Sequence, residues 1–152
     1  MSYLPIQSLN LNKAQINFIK TTVTNSRSLD LGTLISDTND VTKTGTDTLV
    51  LKAGKSYFIF VNLSHTKTNR NSYDIYIDGV SLAMCKIELE TPTNLHGAGK
   101  SFFPSNGMGF VLNPITDKNL TIRVSTYTGS DAIYFNETST YIPDGAITIF
   151  YK

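Results

Sequence analysis

The sequence predicts an all-β fold, an antiparallel sandwich or barrel, on three observations. Short runs alternate apolar and polar residues at period two from about Asp47 almost to Lys152. Apolar residues at helical spacing are nearly absent. Gly, Asn, Asp and Pro punctuate the runs at short intervals, as turns between strands require.

The elements follow in order. Met1–Asn12 has no clear period and contains Pro5, so it reads as an arm. Ile16–Val23 sets Ile16 and Phe18 against Asn17 and reads as a first strand. Leu29–Ile35 is a second, weakened by Gly32. Ser36–Thr46 reads as a long polar loop. Thr48–Leu51 leads through the turn Lys52-Ala53-Gly54-Lys55 into the strongest strand, Ser56–Ser64, with Tyr57, Ile59, Val61 and Leu63 on one face. Tyr73–Val80 places Tyr73, Ile75 and Ile77 together. Asp78-Gly79 is a two-residue hairpin signal, because both turn positions need positive φ, and Leu82–Glu90 is the returning partner. Thr91–Gly107 reads as irregular, with Phe102-Phe103 as a short strand inside it. Gly109–Leu112, Asn119–Thr126, Ala132–Asn136 and Ala146–Lys152 complete the set. In Asn119–Thr126, Leu120, Ile122 and Val124 share one face. No repeat or linker divides the chain, so residues 13–152 are expected to form one domain behind an arm of residues 1–12.

At 152 residues the chain is long enough for a real core, and its 40% hydrophobic content argues against disorder. Only 16% of residues are charged and the net charge is +1, so no bulk field draws nucleic acid or anionic lipid. Thr, Asn and Ser fill the polar positions. Lys67 and Arg70 read as a solvated hairpin loop. No apolar run approaches a membrane span, and no basic segment followed by an apolar one opens the chain, so neither membrane insertion nor a signal peptide is expected. A single cysteine, Cys85, excludes an intrachain disulfide framework and reads as a buried inert thiol.

Several strands are apolar on both faces. Phe58 and Phe60 point away from Tyr57, Ile59 and Val61, Tyr76 away from Ile75 and Ile77, and Phe150 away from Ile149 and Tyr151. A sandwich sheet in a monomer shows water one face. Four aromatics on one surface make a patch of at least about 600 Å², at or above the largest usual on a monomer. Either loops and the arm cover these rings, or Phe58, Phe60, Tyr76 and Phe150 form a subunit interface.

The runs LKAGKSYFIFVNLS, YDIYIDGV, NLTIRVSTYTG and GAITIFYK together resemble the tumour-necrosis-factor/C1q-like jelly roll over roughly Thr46–Lys152. The resemblance is one of pattern. It implies an antiparallel jelly-roll β-sandwich, a homotrimer, and aromatic strand faces packed between subunits. The chain lacks the Gly-X-Y stalk of secreted members. It is similar also to the head-fibre, decoration and fibre-tip modules of tailed bacteriophages, which are made in the cytosol, are rich in Thr, Asn and Ser, and begin with an attaching arm. That likeness implies a virion structural protein that meets other virion proteins through its arm.

No residue pattern names a chemistry. His65 and His96 lie in separate loops, without zinc-ligand spacing. The Asp37-Thr38-Asn39-Asp40 cluster and the Asp74 and Asp78 carboxylates read as turn chemistry ahead of calcium ligation. His96–Lys100 lacks the spacing of a phosphate loop. Glu88 and Glu90 read as solvated strand charges. The sequons at Asn62, Asn119 and Asn136 are expected by chance in such a composition. The chain is thus expected to be non-enzymatic, with no cofactor or metal. A carbohydrate-binding, lectin-like module is the alternative, with Tyr127 and Tyr141 stacking on a surface glycan.

Overall fold

The structure, a computed structural model, describes residues 10–19, 28–64, 71–89, 105–127 and 145–152. Ten strands run through them: β1 (Asn12–Asn17), β2 (Ile35–Ser36), β3 (Val41–Thr44), β4 (Thr48–Leu51), β5 (Tyr57–Ser64), β6 (Asn71–Ile77), β7 (Val80–Leu89), β8 (Ser105–Leu112), β9 (Lys118–Tyr127) and β10 (Ala146–Tyr151). No helix occurs among the described residues. The strands form two five-stranded antiparallel sheets, ordered β2-β1-β10-β5-β8 and β3-β4-β9-β6-β7.

The pairings nest. β6 pairs with β7, β5 with β8, β4 with β9, and β1 with β10. Successive rungs of this long hairpin alternate between the sheets, which is the roll-up of a jelly-roll sandwich. At the tip, Asp78 (φ 51°) and Gly79 (φ 78°) make the tight turn that both positive angles require.

Period two decides what lies inside. Tyr57, Ile59, Val61 and Leu63 of β5 are buried, as are Ile147, Ile149 and Tyr151 of β10 and Ala14 and Ile16 of β1. They meet Leu49 and Leu51 of β4, Tyr73 and Ile75 of β6, and Leu120, Ile122 and Val124 of β9 in one apolar cluster. Burying each large side chain contributes roughly 1.5–3 kcal/mol, and this layer holds the sheets together.

Register also fixes the two poles. Asn12 faces Tyr151, and Tyr151 faces Tyr57, which faces Leu112. At the opposite pole Asn17 faces Ala146, Ser64 faces Ser105, and Asn71 faces both Leu89 and Tyr127.

Several boundaries differ from the sequence reading. The first strand is Asn12–Asn17 rather than Ile16–Val23, so the sheet takes in Asn12, the last residue of the stretch read as an arm. Small Ala14 is its second inward residue, and it carries little hydrophobic signal. Leu29–Ile35 is not a continuous strand: Leu31 makes a lone bridge to Phe18, and only Ile35–Ser36 pairs beyond it. The polar loop read over Ser36–Thr46 contains β3, an edge strand whose one buried apolar residue is Val41. The strand read as Gly109–Leu112 begins four residues earlier, at Ser105. The readings at Phe102-Phe103 and Ala132–Asn136 lie outside the described residues.

Candidate functional site

Residues directly opposite in an antiparallel pair point to the same side. On the outer face of the first sheet this aligns Lys13, Phe150, Phe58 and Val111 across β1, β10, β5 and β8. The next row is Gln15, Thr148, Phe60 and Gly109. Phe58 and Phe60 sit edge to face, ring centroids 4.5 Å apart and planes at 81°. Each ring covers part of the other, so each is 41% exposed rather than fully so. Gly109 makes room for this pair. A Cβ there would lie 3.0 Å from Phe60 Cε1 and 3.1 Å from Cδ1, tighter than ordinary contact.

Val111 and Leu11 extend the apolar surface, and both are exposed. With Phe58, Phe60 and Phe150 they wall a shallow depression of about 400 Å³, edged by Lys152. Ile35, opposite Gln15 and 74% exposed, lies on the same side. Leu11 and Val111 were missed from sequence. Val111 sits in a short run, and only its register with Phe58 places it in the patch.

Three of the four aromatics expected at an interface, Phe58, Phe60 and Phe150, therefore share one surface. Tyr76 does not. It lies on β6 in the second sheet, facing Thr121, with the Arg123 guanidinium carbon 4.4 Å from its ring centroid. The surface estimated from four fully exposed aromatics is reduced accordingly. One ring belongs to the other side of the sandwich, and two of the remaining three shield each other. For the glycan contact, Tyr141 lies outside the described residues, and only the backbone of Tyr127, the last residue of β9, lies within them. His65, His96 and Glu90 also lie outside.

The described carboxylates serve turns. Asp117 accepts hydrogen bonds from Lys52 Nζ and Ala53 N, both at 2.9 Å. Asp78 accepts from Lys118 Nζ at 2.7 Å and Asn119 N at 2.9 Å. In each, the lysine ammonium and the backbone amide hold the carboxyl below its ordinary range. Asp37 Oδ2 accepts from Lys13 N at 2.6 Å, and Asp40 Oδ2 accepts from Thr38 Oγ1 at 2.8 Å. Among the described residues no three of His, Cys, Asp and Glu converge on a point suited to a metal ion. Cys85 is half-buried against the core, and burial pushes its thiol pKa up, which disfavours the reactive thiolate.

No family model and no curated protein matches the chain. Among solved structures, the crystal structure of murine APRIL at pH 8.0 is similar in fold, with a TM-score of 0.60 over 93% of this chain and 98% of that one. Identity is 7%, so the likeness lies in the path of the backbone: a tumour-necrosis-factor-like jelly roll.

Proposed function

We propose that the chain is a non-enzymatic virion structural protein, a bacteriophage capsid-decoration, head-fibre or fibre-tip attachment module. It is made in the host cytoplasm and built into the particle, and it works as a homotrimer. The observation that carries the reading is the apolar outer face of the first sheet, where Phe58, Phe60, Phe150, Val111 and Leu11 lie together and exposed. A contiguous apolar surface of this kind marks an association site. A second copy of the chain is the occupant the composition favours. The patch is aromatic and nearly uncharged, with Lys13 and Lys152 at its rim, as in the centre and rim of subunit interfaces.

The non-enzymatic reading rests on the carboxylates, which cap turns instead of facing each other across a cleft. The virion reading rests on the likeness to phage modules in Thr, Asn and Ser content and on the arm of residues 1–12, which precedes the sandwich and is free to engage another virion protein. Light scattering tests the assembly: a mass three times 16.8 kDa at micromolar concentration is expected, and a monomer refutes it. Incubation with particles stripped of surface proteins tests the attachment. Co-sedimentation is expected with residues 1–12 present and lost without them. A glycan array run alongside tests the lectin-like alternative.

A further inference from the structure

The outer face of the second sheet carries a different surface. A polar depression of about 460 Å³ is lined by Thr44, Thr48, Asp78, Asn119, Thr121 and Arg123. Thr121 and Arg123 alternate with the inward Leu120, Ile122 and Val124, so both point to this side of β9.

The guanidinium of Arg123 is positioned and unpaired. It stacks 4.4 Å from the Tyr76 ring centroid, which holds its plane. The ion pairs among the described residues join Lys52 to Asp117, Lys55 to Asp40 and Lys118 to Asp78, and none includes Arg123. Its Nε is buried without a hydrogen-bond partner. So is Thr121 Oγ1, in a residue only 8% exposed. Buried polar atoms in folded proteins are nearly always paired, so two unpaired ones side by side in one depression call for an explanation. Asp78, in the same depression, has its charge compensated by Lys118 and by the amide of Asn119. Its remaining lone pairs are suited to hydroxyl donors.

We propose that this depression binds a small hydroxylated carboxylate, an acidic sugar of the uronic-acid class. The carboxylate pairs with the fork of Arg123, and ring hydroxyls meet Asp78 and the Thr48 and Thr121 side chains. A neutral sugar leaves the guanidinium unpaired. A phosphate dianion calls for more positive charge than one arginine beside Asp78 supplies. The inference does not depend on association through the first sheet, because the two surfaces lie on opposite sides of the sandwich.

Titration of the isotope-labelled protein by NMR tests it, with sodium glucuronate, methyl glucuronide, glucose and sodium acetate as probes. Glucuronate is expected to shift the amides of Asp78, Asn119 and Thr121 saturably, with glucose and acetate weaker by about tenfold or more. Methyl glucuronide, which carries the glycosidic link, separates two sources of the same chemistry. Tighter binding than glucuronate assigns the end of a glycan, weaker binding assigns the free acid, and either upholds the site. Arg123→Gln is expected to lose about tenfold in affinity. Thr121→Val, which keeps the side-chain shape, is expected to weaken binding yet raise the melting temperature, because it removes an unpaired buried hydroxyl. The pairing of those two effects keeps the test decisive if Arg123→Gln fails to fold. Absence of saturable shifts overturns the proposal, as does equal affinity for glucose or acetate. A Thr121→Val protein with unchanged affinity overturns it too.

Discussion

Tyr57 and Tyr151 stand directly opposite each other on β5 and β10, ring centroids 5.6 Å apart, and their hydroxyls tie down different segments. Tyr151 Oη lies 3.1 Å from Ser36 Oγ and 3.0 Å from Thr38 Oγ1, and accepts from Thr38 N at 3.2 Å. Tyr57 Oη donates to Lys52 O at 2.9 Å and Asp40 O at 3.2 Å. One pair of rings in the core thus fixes both the crossing from β2 to β3 and the turn after β4.

Tyr151→Phe keeps the ring and removes the bonds to Ser36 and Thr38. The expected loss is about 1–2 kcal/mol in urea denaturation, since the Thr38 amide loses its buried partner. An unchanged midpoint would show that solvent replaces those bonds freely.

Neighbouring residues on β5 are expected to fail differently. Ile59 is fully buried, so Ile59→Ser leaves a cavity and a buried hydroxyl and costs the subunit about 2–5 kcal/mol. Phe60 points outward and is 41% exposed, so Phe60→Ser is expected to leave the subunit folded and to dissociate the trimer. Sedimentation velocity separates the two: a smaller folded species for Phe60→Ser, aggregate or unfolded chain for Ile59→Ser. The same behaviour from both variants would remove the basis for the interface.

Stability is expected to fall at both ends of the pH scale. Asp78 and Asp117 have folded pKa values below the ordinary 3.8, so the stability they contribute is present above that value and is lost as pH falls through the lowered ones. Melting temperatures measured below about pH 4 should therefore drop, and Asp117→Asn should flatten that limb. Burial, chiefly, pushes Tyr57 from 10.0 up to about 12. A raised folded pKa means that stability is full below pH 10 and lost as the pH rises toward 12, where the unfolded chain ionises first. Tyr57→Phe should remove part of the alkaline loss.

Removing residues 1–9 is expected to leave thermal unfolding nearly unchanged, because the first strand begins at Asn12. Extending the deletion through Gln15 removes β1 pairing with β10 and should produce insoluble protein. A large drop in melting temperature from the shorter deletion would place the arm in the fold.

The sandwich was legible where apolar and polar residues alternate strongly. β5, β9 and β10 lie within a residue or two of the boundaries read from sequence. The strands misplaced were those whose stability comes from neighbours. β3 has only Val41 facing inward and is set by its ladder to β4, and β1 hides its period behind Ala14. Period two identified Phe58, Phe60 and Phe150 as outward rings, because it gives the side of a strand. It does not say which sheet the strand joins, and for that reason Tyr76 was grouped with residues across the core. The polar depression left no mark in the sequence. Arg123, Asp78 and Thr44 meet there only through the nesting of β9, β4 and β3 with the β6–β7 turn.

The separation of the poles gives this architecture a division of labour. Asn12 and Tyr151 leave the sheet side by side at one end, whereas β1, β5, β7 and β9 each finish at the other, before the chain's four longest connections between strands. Whatever holds the module by its first residues meets one end of the barrel. Substitutions and insertions accumulating in those connections would alter the far end without disturbing the mooring. A lineage under pressure to change what it touches could revise one pole for many generations while the other stayed fixed.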